Sequence, residues 1–427
     1  MNILFVAPYV PSPIRVRPYN FIRALARRGN NITLVCSTDK GDQAALAEMQ
    51  SICTRVLTAP LGKAGMLWNA FCALPGHLPF QAALNNSSRL LTLVHTEARS
   101  RQHDVAHVEH LRASALGAEL RGLPAVLDSV DCISMLFERT LRGSPSLKSR
   151  AMALVDLART RTYEASYLTR YERVIISSPE DAWALEMLRT MQDQANEERT
   201  IAASPVTVIP NGVDLDYFAP QPRTRAPATI VFSGKMSYHA NTAAALLLVQ
   251  DIMPLVWERR PDARVVIAGS APPREVQALD GDPRVTVTGY LPDLRPSIAS
   301  ATLAVCPLRY GVGIQNKVLE AMALATPSVV ARQATQALQV IDGRDVFLAE
   351  QPHEYAQAIL TLINDTWLAT QIGQAGRRYV EQHHDWDSAA QQLEVVYRQA
   401  MARTNGKSSR REKMGMSDAL GYTTERP

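Results

Sequence analysis

The chain has 427 residues, 46% of them hydrophobic and 20% charged, which is ordinary for a globular protein. This length exceeds what one compact core accommodates and predicts two domains. A formal net charge of +4, from 45 basic and 41 acidic residues, is too small to indicate nucleic-acid binding. The five cysteines are odd in number and lack metal-ligand spacing, so they predict reduced thiols and a cytoplasmic protein.

The first residues, 2–7, form an apolar run that predicts a buried strand, since a basic start and a signal-peptide cleavage site are missing. No uninterrupted apolar run approaches the roughly 18 residues that a membrane-spanning helix needs. Further apolar runs alternate with helical patterns, which indicates an α/β domain with a parallel sheet. The later strands of this half are predicted at residues 32–36, 105–108, 125–127, 174–177 and 206–209, and two of its helices at 18–28 and 147–170.

Residues 66–80 contain Trp68 and Phe71, which share one helical face. One interpretation is docking on a bilayer or a lipid-linked acceptor. The other is packing in the core.

A Pro-rich polar stretch, residues 219–227, interrupts the alternation and marks a domain boundary. The pattern then restarts, with strands predicted at 229–233, 263–268, 285–288, 301–306 and 328–331 and a helix at 241–259. We therefore expect two Rossmann-like domains with parallel sheets facing across a cleft, at 1–218 and 219–385. A helix at 386–402 could cross back to the first domain, and a disordered basic tail follows at 403–427.

The stretch RYGVGIQNKVLEAMA at 309–323 leads from the strand at 301–306 through two glycines into a helix. Lys317 and Glu320 are three positions apart and share a face of the first helical turn. Backbone N–H groups at such a glycine loop attract anions, and Lys317 adds positive charge. Glu320 can accept hydrogen bonds from a sugar diol, so the stretch predicts a nucleotide-sugar site.

A second loop of this kind follows the strand at 229–233, where Gly234 and Lys235 precede a helix. Both loops lie at the carboxyl ends of strands in the same predicted sheet. The alternative is a plain strand–loop–helix connection with Gly234 serving the turn.

Three segments carry a family resemblance: IPNGVDLDYFAP at 209–220, LEAMA at 319–323 with PSVV at 327–330, and DWD at 385–387. Together they resemble glycosyltransferase family 4, whose members are retaining enzymes of GT-B fold that use nucleotide-sugar donors. The form GIQNKVLEAMA at 313–323 is more similar to the exopolysaccharide-associated sugar transferases of that family. The resemblance spans residues 1–402.

The resemblance implies that Glu320 binds the donor ribose and that Gly234 and Lys235 contact the diphosphate. Where many members have a sugar-binding Glu, this chain has Val312, so backbone groups of Gly311, Gly313 and Ile314 would serve with Lys317. Ala240 stands where a second basic residue often follows. No cofactor and no metal are implied, because the nucleotide-sugar is a co-substrate.

Candidate residues of the first domain follow the ends of predicted strands, where an acceptor is expected. Arg15 and Arg17 could hold a diphosphate or be solvated surface charges. The other four could line the site or cap helices; they are Glu109, His110, Asp128 and Asp131.

His103, His107 and His110 would share a face on a helix and suggest a metal site. The surrounding residues predict a strand instead, which would spread these side chains more than about 10 Å apart.

The sequence thus predicts a retaining, metal-independent glycosyltransferase acting on a saccharide or lipid-linked acceptor in exopolysaccharide or cell-surface glycan synthesis. Its catalytic candidates are Lys235, Lys317, Glu320, Asp128 and His110. We expect it in the cytoplasm, or peripherally at the inner face of the cell membrane, with no nucleic-acid partner. Two alternatives stay open: a nucleotide-sugar epimerase or hydrolase, and a non-catalytic sugar-nucleotide-binding module.

Overall fold

The computed structural model describes residues 1–73, 76–84, 87–143, 147–196, 206–220, 225–308, 315–335 and 338–420. For residues 63–64, 143, 147–149, 195–196 and 405–420 it describes the backbone alone. The chain divides into two compact units. The first unit comprises Met1–Ile209 and Ala389–Pro427, and the second comprises Pro210–Ser388.

Within its described residues, the first unit contains seven strands that form one parallel sheet in the order β3-β2-β1-β4-β5-β6-β7. The strands are β1 Asn2–Ala7, β2 Asn31–Thr38, β3 Arg55–Pro60, β4 Val105–Glu109, β5 Ala125–Val130, β6 Arg173–Ile176 and β7 Val206–Val208. The helices are α1 Val16–Arg27, α2 Gln43–Ile52, α3 Lys63–Cys72, α4 Phe80–Leu84, α5 Ser88–Arg99, α6 His110–Ala113, α7 Ile133–Gly143, α8 Leu147–Ala165, α9 Tyr167–Arg170 and α10 Pro179–Asn196.

The second unit contains six described strands in the parallel order β10-β9-β8-β11-β12-β13. They are β8 Thr229–Ser233, β9 Arg264–Ala268, β10 Val285–Gly289, β11 Leu303–Cys306, β12 Ser328–Ala331 and β13 Phe347–Ala349. The helices that follow in the chain are α11 His239–Leu246, α12 Met253–Trp257, α13 Arg274–Gln277, α14 Arg295–Ser300, α15 Asn316–Ala323, α16 Pro352–Asn364, α17 Thr366–His383 and α18 Trp386–Leu420.

Both sheets are built from strands whose two faces are buried. Residues Ile3 to Ala7 of β1 are fully buried, as are Ile230 and Ile267 in the second sheet. Unbroken apolar runs of this kind form parallel strands covered by helices on both faces, because neither side of the strand meets water. The predicted α/β class with two Rossmann-like parallel sheets is confirmed.

The division between the units lies at Ile209 and Pro210, earlier than the predicted boundary at 218 and 219. Ile209 still extends the first sheet, since its N–H donates to the Ile176 carbonyl at 2.9 Å. Leu215 and Phe218 pack against the core of the second unit. The segment before the Pro-rich stretch therefore belongs to the second unit by its apolar contacts.

Helix α18 begins in the second unit, and from Ala389 onward it packs on the first. Glu394 accepts hydrogen bonds from Asn30 at 2.7 Å and from Arg28 at 3.2 Å, and the fully buried Tyr397 contacts His107. The helical backbone continues to Leu420, past the predicted end at 402. Extending an existing helix adds one hydrogen bond per residue, whereas nucleation is the costly step.

Within the part of the chain that the structure describes, one helical stretch, His239–Trp257, is long and apolar enough to cross a membrane by length and composition alone. In its most apolar window, 56% of the residues are buried inside the protein. Leu248, Ile252 and Val256 belong to the core of the second unit. A buried core helix passes the same test, so this stretch is weak support for a membrane span.

Replacing Tyr397 with Phe removes the hydroxyl that shares a 2.9 Å hydrogen bond with His107 Nδ1. Because that nitrogen is then buried without this partner, we expect the free energy of unfolding to fall by about 1–2 kcal/mol. Urea unfolding of the full chain measures the change. Tyr290→Phe is the control, since Tyr290 is 74% exposed. Equal stability of the two variants would contradict the prediction.

Candidate functional site

Two glycines bring the ends of β8 and β9 into direct backbone contact. Gly234 has φ +149° and Gly269 has φ +147°. A Cβ added at Gly269 would lie 1.8 Å from the Gly234 carbonyl oxygen. Any side chain would clash where the two backbones approach so closely, so both positions require glycine. The loops that follow these strands are thereby held together at the carboxyl edge of the second sheet.

Lys317 lies directly beside this glycine contact. It is in the first turn of α15, and a Cβ added at Gly234 would lie 3.3 Å from its Cε. Its Nζ donates to Asn241 Oδ1 at 2.5 Å. Asn241 is 5% exposed, lies in the first turn of α11 and donates through Nδ2 to the Lys235 carbonyl at 2.9 Å. Asn241 therefore connects the loop after β8 to the cation on α15.

Burial lowers the pKa of Lys317, while Cys306 and Glu320 act in the opposite direction. The side chain of Lys235 is exposed. One lysine is thus held in place by the protein, and the other is free to reach into solvent.

Glu320 lies on α15 one turn after Lys317, and burial raises its pKa from 4.5 to about 7 although Lys317 lowers it. Among the described residues, no side-chain hydrogen bond to its carboxylate is present. A half-buried acceptor with no side-chain partner among the described residues is suited to receive hydroxyl groups of a ligand. The predicted donor contacts Gly311, Gly313 and Ile314, together with Val312, lie outside the described residues.

In the first unit, four buried polar side chains from three different elements meet at one place. Arg17 Nε donates to Asp128 Oδ2 at 2.7 Å, and His107 Nε2 lies 3.4 Å from Glu109 Oε2 and 4.0 Å from Asp128 Oδ2. All four are at most 4% exposed. We refer to Arg17, His107, Glu109 and Asp128 as the buried polar cluster.

The charges of this cluster are strongly affected by burial. Burial raises the pKa of Glu109 to about 8 and lowers that of His107 to about 4. The pKa of Asp128 is also raised by burial, while the guanidinium of Arg17 opposes the shift. The interpretation of Arg17 as a solvated surface charge is wrong, because its side chain is enclosed and paired with Asp128.

The remaining candidates of the first unit are half-buried at the carboxyl edge of its sheet. His110 has φ +68°, accepts from the Arg112 N–H at 3.2 Å through Nδ1, and has a pKa lowered to about 3 by burial. Asp131 follows Val130, whose φ of +65° is strained for a β-branched residue. Burial raises the pKa of Asp131 to about 6. Arg15 donates to the Val10 carbonyl at 2.9 Å.

The three histidines considered for a metal do not converge on one point. His103 Nε2 lies 3.1 Å from Glu97 Oε2, and His107 stacks on Phe5 with ring centroids 4.2 Å apart. A different set, His107, Glu109 and Asp128, has possible ligand atoms within 4.8 Å of one another. The guanidinium of Arg17 already supplies positive charge to this set, so it is explained without a metal ion.

Sequence reasoning did not single out Asn241, Gly269 or Tyr397 as parts of these sites. Asn241 could have been found as a polar residue in the first turn after an anion-binding loop. Gly269 follows the strand residues Ile267 and Ala268 just as Gly234 follows Phe232 and Ser233. This repeated pattern of a strand ending in glycine could have indicated Gly269. Tyr397 carried no such signal, since it lies far along the chain from His107.

Two Rossmann-like units, each with a sheet whose described strands are all parallel, are the architecture of a GT-B fold, which the structural comparisons below support. Residues 227–365, which include Gly234, Lys317 and Glu320, match the family model of Glycosyl transferases group 1.

The chain is 29% identical over 229 residues to alpha-maltose-1-phosphate synthase of Mycobacterium tuberculosis, an alignment that covers 46% of this chain and 57% of that relative. It therefore spans little more than half the length of this curated relative.

Among solved structures, sucrose-phosphate synthase of Thermosynechococcus elongatus has a TM-score of 0.66 at 18% identity, covering 94% of this chain and 100% of the other. Anabaena HepE in complex with UDP has a TM-score of 0.63 at 17% identity, covering 93% of this chain and 99% of the other. At these identities the structural similarity establishes the fold.

The raised pKa of Glu320 predicts a pH-dependent effect of Glu320→Gln. A carboxylate with a folded-state pKa near 7 costs stability as pH rises from 4.5 through 7, and Gln cannot ionise. We expect the variant and the wild type to have equal free energies of unfolding below about pH 5. Above about pH 8 the variant should be more stable by about 1–3 kcal/mol. Unfolding at both pH values measures this, with the exposed Glu258→Gln as control. A constant difference across the range would contradict the assignment.

Proposed function

We propose that this protein is a glycosyltransferase of family 4 that transfers a sugar from a nucleotide-sugar donor to a saccharide or lipid-linked acceptor with retention. The observation that carries the proposal is the contact of Lys317 with Asn241 beside Gly234 at the carboxyl edge of the second sheet, with Glu320 one turn further along α15. The match of this region to Glycosyl transferases group 1 supports it. Anabaena HepE, a protein of similar fold, binds UDP, which makes UDP-sugars the first donors to test.

The donor fits this site by the chemistry of its parts. Lys317 and the exposed Lys235 offer positive charge to a diphosphate. Glu320 offers a carboxylate to the ribose diol. Binding of a diphosphate beside Lys317 favours its charged form, which burial disfavours in the free protein.

In the proposed reaction, the bond from the anomeric carbon to the diphosphate oxygen breaks as the acceptor hydroxyl attacks the same face of the sugar. The departing diphosphate takes the electron pair and helps to accept the hydroxyl proton. Lys317 and Lys235 stabilise the charge that develops on the diphosphate. This route needs neither a metal nor a cofactor.

We assign the acceptor to the first unit, where Glu109 ends β4 and His110 follows it, while Asp128 lies within β5 and Asp131 follows that strand. His110 is held as a hydrogen-bond acceptor toward the Arg112 N–H. Within the buried polar cluster, Asp128 and Arg17 neutralise each other and support the strand ends. We place the reaction in the cytoplasm, in exopolysaccharide or cell-surface glycan synthesis.

Lys317→Ala and Glu320→Gln test the donor site. We expect Lys317→Ala to lower the transfer rate on the order of 10²-fold, because one positive donor to the leaving group is lost. Glu320→Gln should weaken nucleotide binding about tenfold by altering the ribose contact. Calorimetry with UDP-, GDP- and ADP-glucose, followed by transfer assays with the donor that binds, measures both effects.

Lys40→Ala and Glu258→Gln are the matched controls, since both side chains are exposed. If Lys317→Ala and Glu320→Gln bind the nucleotide and transfer sugar as well as the wild type does, the assignment of this donor site is wrong. Binding without transfer across a broad acceptor panel would favour a non-catalytic module, and release of free sugar without acceptor would favour a hydrolase.

Asn241 should act by positioning Lys317. Removing its carboxamide in Asn241→Ala frees the Lys317 ammonium, so we expect about tenfold weaker binding of UDP and unchanged binding of uridine. In the double variant with Lys317→Ala, the two losses should be less than additive.

Thr242→Val is the control for Asn241→Ala, because Thr242 is the next residue of α11 and also bonds the preceding loop. Its hydroxyl donates to the Met236 carbonyl at 2.7 Å. If Asn241→Ala weakens uridine and UDP binding equally, Asn241 has a general structural role instead.

A further inference from the structure

Two arginines of the first unit follow the carboxyl ends of neighbouring strands. Strands β1 and β4 pair in parallel, with Val6 beside Val108. Arg15 lies in the loop between β1 and α1, and Arg112 lies in α6, which begins directly after β4 and contacts β1. Both guanidinium groups therefore belong to the edge of the sheet to which we assign the acceptor.

Both guanidinium groups act on one side chain, Tyr9, in the same loop as Arg15. Arg15 Cζ lies 4.0 Å from the centre of the Tyr9 ring, where the face of the ring attracts a cation. Burial raises the pKa of Tyr9, while Arg15 and Arg112 both lower it. Because such charge effects fade beyond about 10 Å at ordinary salt, the two cations lie near the same hydroxyl group.

Neither guanidinium is neutralised by an acidic side chain in the part of the chain that the structure describes. Arg15 Nη1 donates to the Val10 carbonyl at 2.9 Å, and Arg112 Nε is buried without a hydrogen-bond partner. Glu109 at the end of β4 does not supply the missing charge, because burial raises its pKa to about 8 and it is mostly protonated at pH 7. A buried donor left in this way costs free energy, so an anionic ligand is expected beside it.

We propose that Arg15, Arg112 and the Tyr9 hydroxyl bind a phosphate group of the acceptor. The inference rests on the proposed function, and it defines the acceptor as a phosphorylated saccharide or a lipid diphosphate. Guanidinium groups stay charged at neutral pH, and their planar forks match the spacing of phosphate oxygens. The Tyr9 hydroxyl can donate to a further oxygen. A neutral saccharide would leave both charges uncompensated.

Arg112 thereby takes the role that the sequence offered to Arg17. The guanidinium of Arg17 is enclosed and donates to Asp128, so it is not available to a ligand in this way. Arg112 gave no signal in the sequence, because its proximity to Arg15 depends on the pairing of β1 with β4.

Ligand-observed NMR with the full chain tests this proposal without turnover. Glucose 6-phosphate and geranyl diphosphate are titrated as probes, glucose is the neutral comparison, and UDP is kept at saturation to fill the donor site. We expect the wild type to bind a phosphorylated probe and not glucose. The probe that binds more tightly distinguishes a phosphorylated saccharide from a lipid diphosphate. The titration is repeated without UDP in Lys317→Ala, so a failure of the proposed donor site leaves this test intact.

Arg112→Ala and Arg15→Ala should each weaken binding of the phosphorylated probe at least about tenfold, because a charged donor to phosphate is lost. Arg112→Lys keeps the charge without the planar fork and should recover part of the affinity. Arg121→Ala is the matched control, since Arg121 is exposed and precedes β5 at the amino edge of the same sheet. Circular dichroism verifies that each variant is folded.

The exposed apolar side chains of α3 offer a second place for a geranyl chain to adhere. Trp68 and Phe71 are 65% and 63% exposed, so the interpretation of their segment as core packing is wrong for these two side chains. Trp68→Ser should leave binding of geranyl diphosphate unchanged. Loss of binding in Trp68→Ser but not in Arg112→Ala would show apolar adhesion and overturn the proposal for this probe.

Two further results would overturn the proposal outright. The first is a wild type that binds neither phosphorylated probe, or arginine variants that bind them as well as the wild type does. The second is weaker binding of UDP, measured by calorimetry, in Arg15→Ala and Arg112→Ala with unchanged binding of the probes. That result would assign the two arginines to the diphosphate of the donor.

Discussion

Every described strand in both sheets runs parallel to its neighbours, and the candidate sites depend on this constraint. In a parallel sheet, the carboxyl ends of all strands lie at the same edge of the sheet, so loops from distant parts of the chain meet there. In the second unit, Gly234 and Gly269 touch where β8 and β9 end, and helices α11 and α15 begin beside them. A cation on α15 and an amide on α11 can then meet although 76 residues separate them.

The two units use buried charge differently at this edge. In the first unit, Arg17 donates to Asp128 through Nε and to the Ile209 carbonyl through Nη1, so its charge is held by partners within the protein. In the second unit, Lys317 bonds a neutral amide, and the Glu320 carboxylate has no hydrogen-bond partner among the described residues. Burial of such groups costs free energy unless something compensates. A bound diphosphate and ribose would supply that compensation, which is why the second unit is the better candidate for donor binding.

Much of the fold could be predicted from the sequence, because fully buried parallel strands appear as short unbroken apolar runs. The runs at 2–7 and 229–233 agree with β1 and β8. Strand β3 was not predicted, since it lies at the sheet edge and is partly exposed, and its residues lack a continuous apolar pattern. Strand β13, of three residues, is too short to give a periodic signal.

At the candidate sites, the local sequence specifies which chemical groups are available. Lys317 and Glu320 share one helical turn because they are three residues apart. The glycine after β8 is recognisable because it lies in a loop that leads from a strand into a helix. The fold establishes three contacts that local spacing does not predict: Asn241 bonds Lys317, Arg17 is buried against Asp128, and Tyr397 reaches His107. Local spacing is encoded within a few residues, whereas these partners are joined by sheet order and helix packing across 76 to 290 residues.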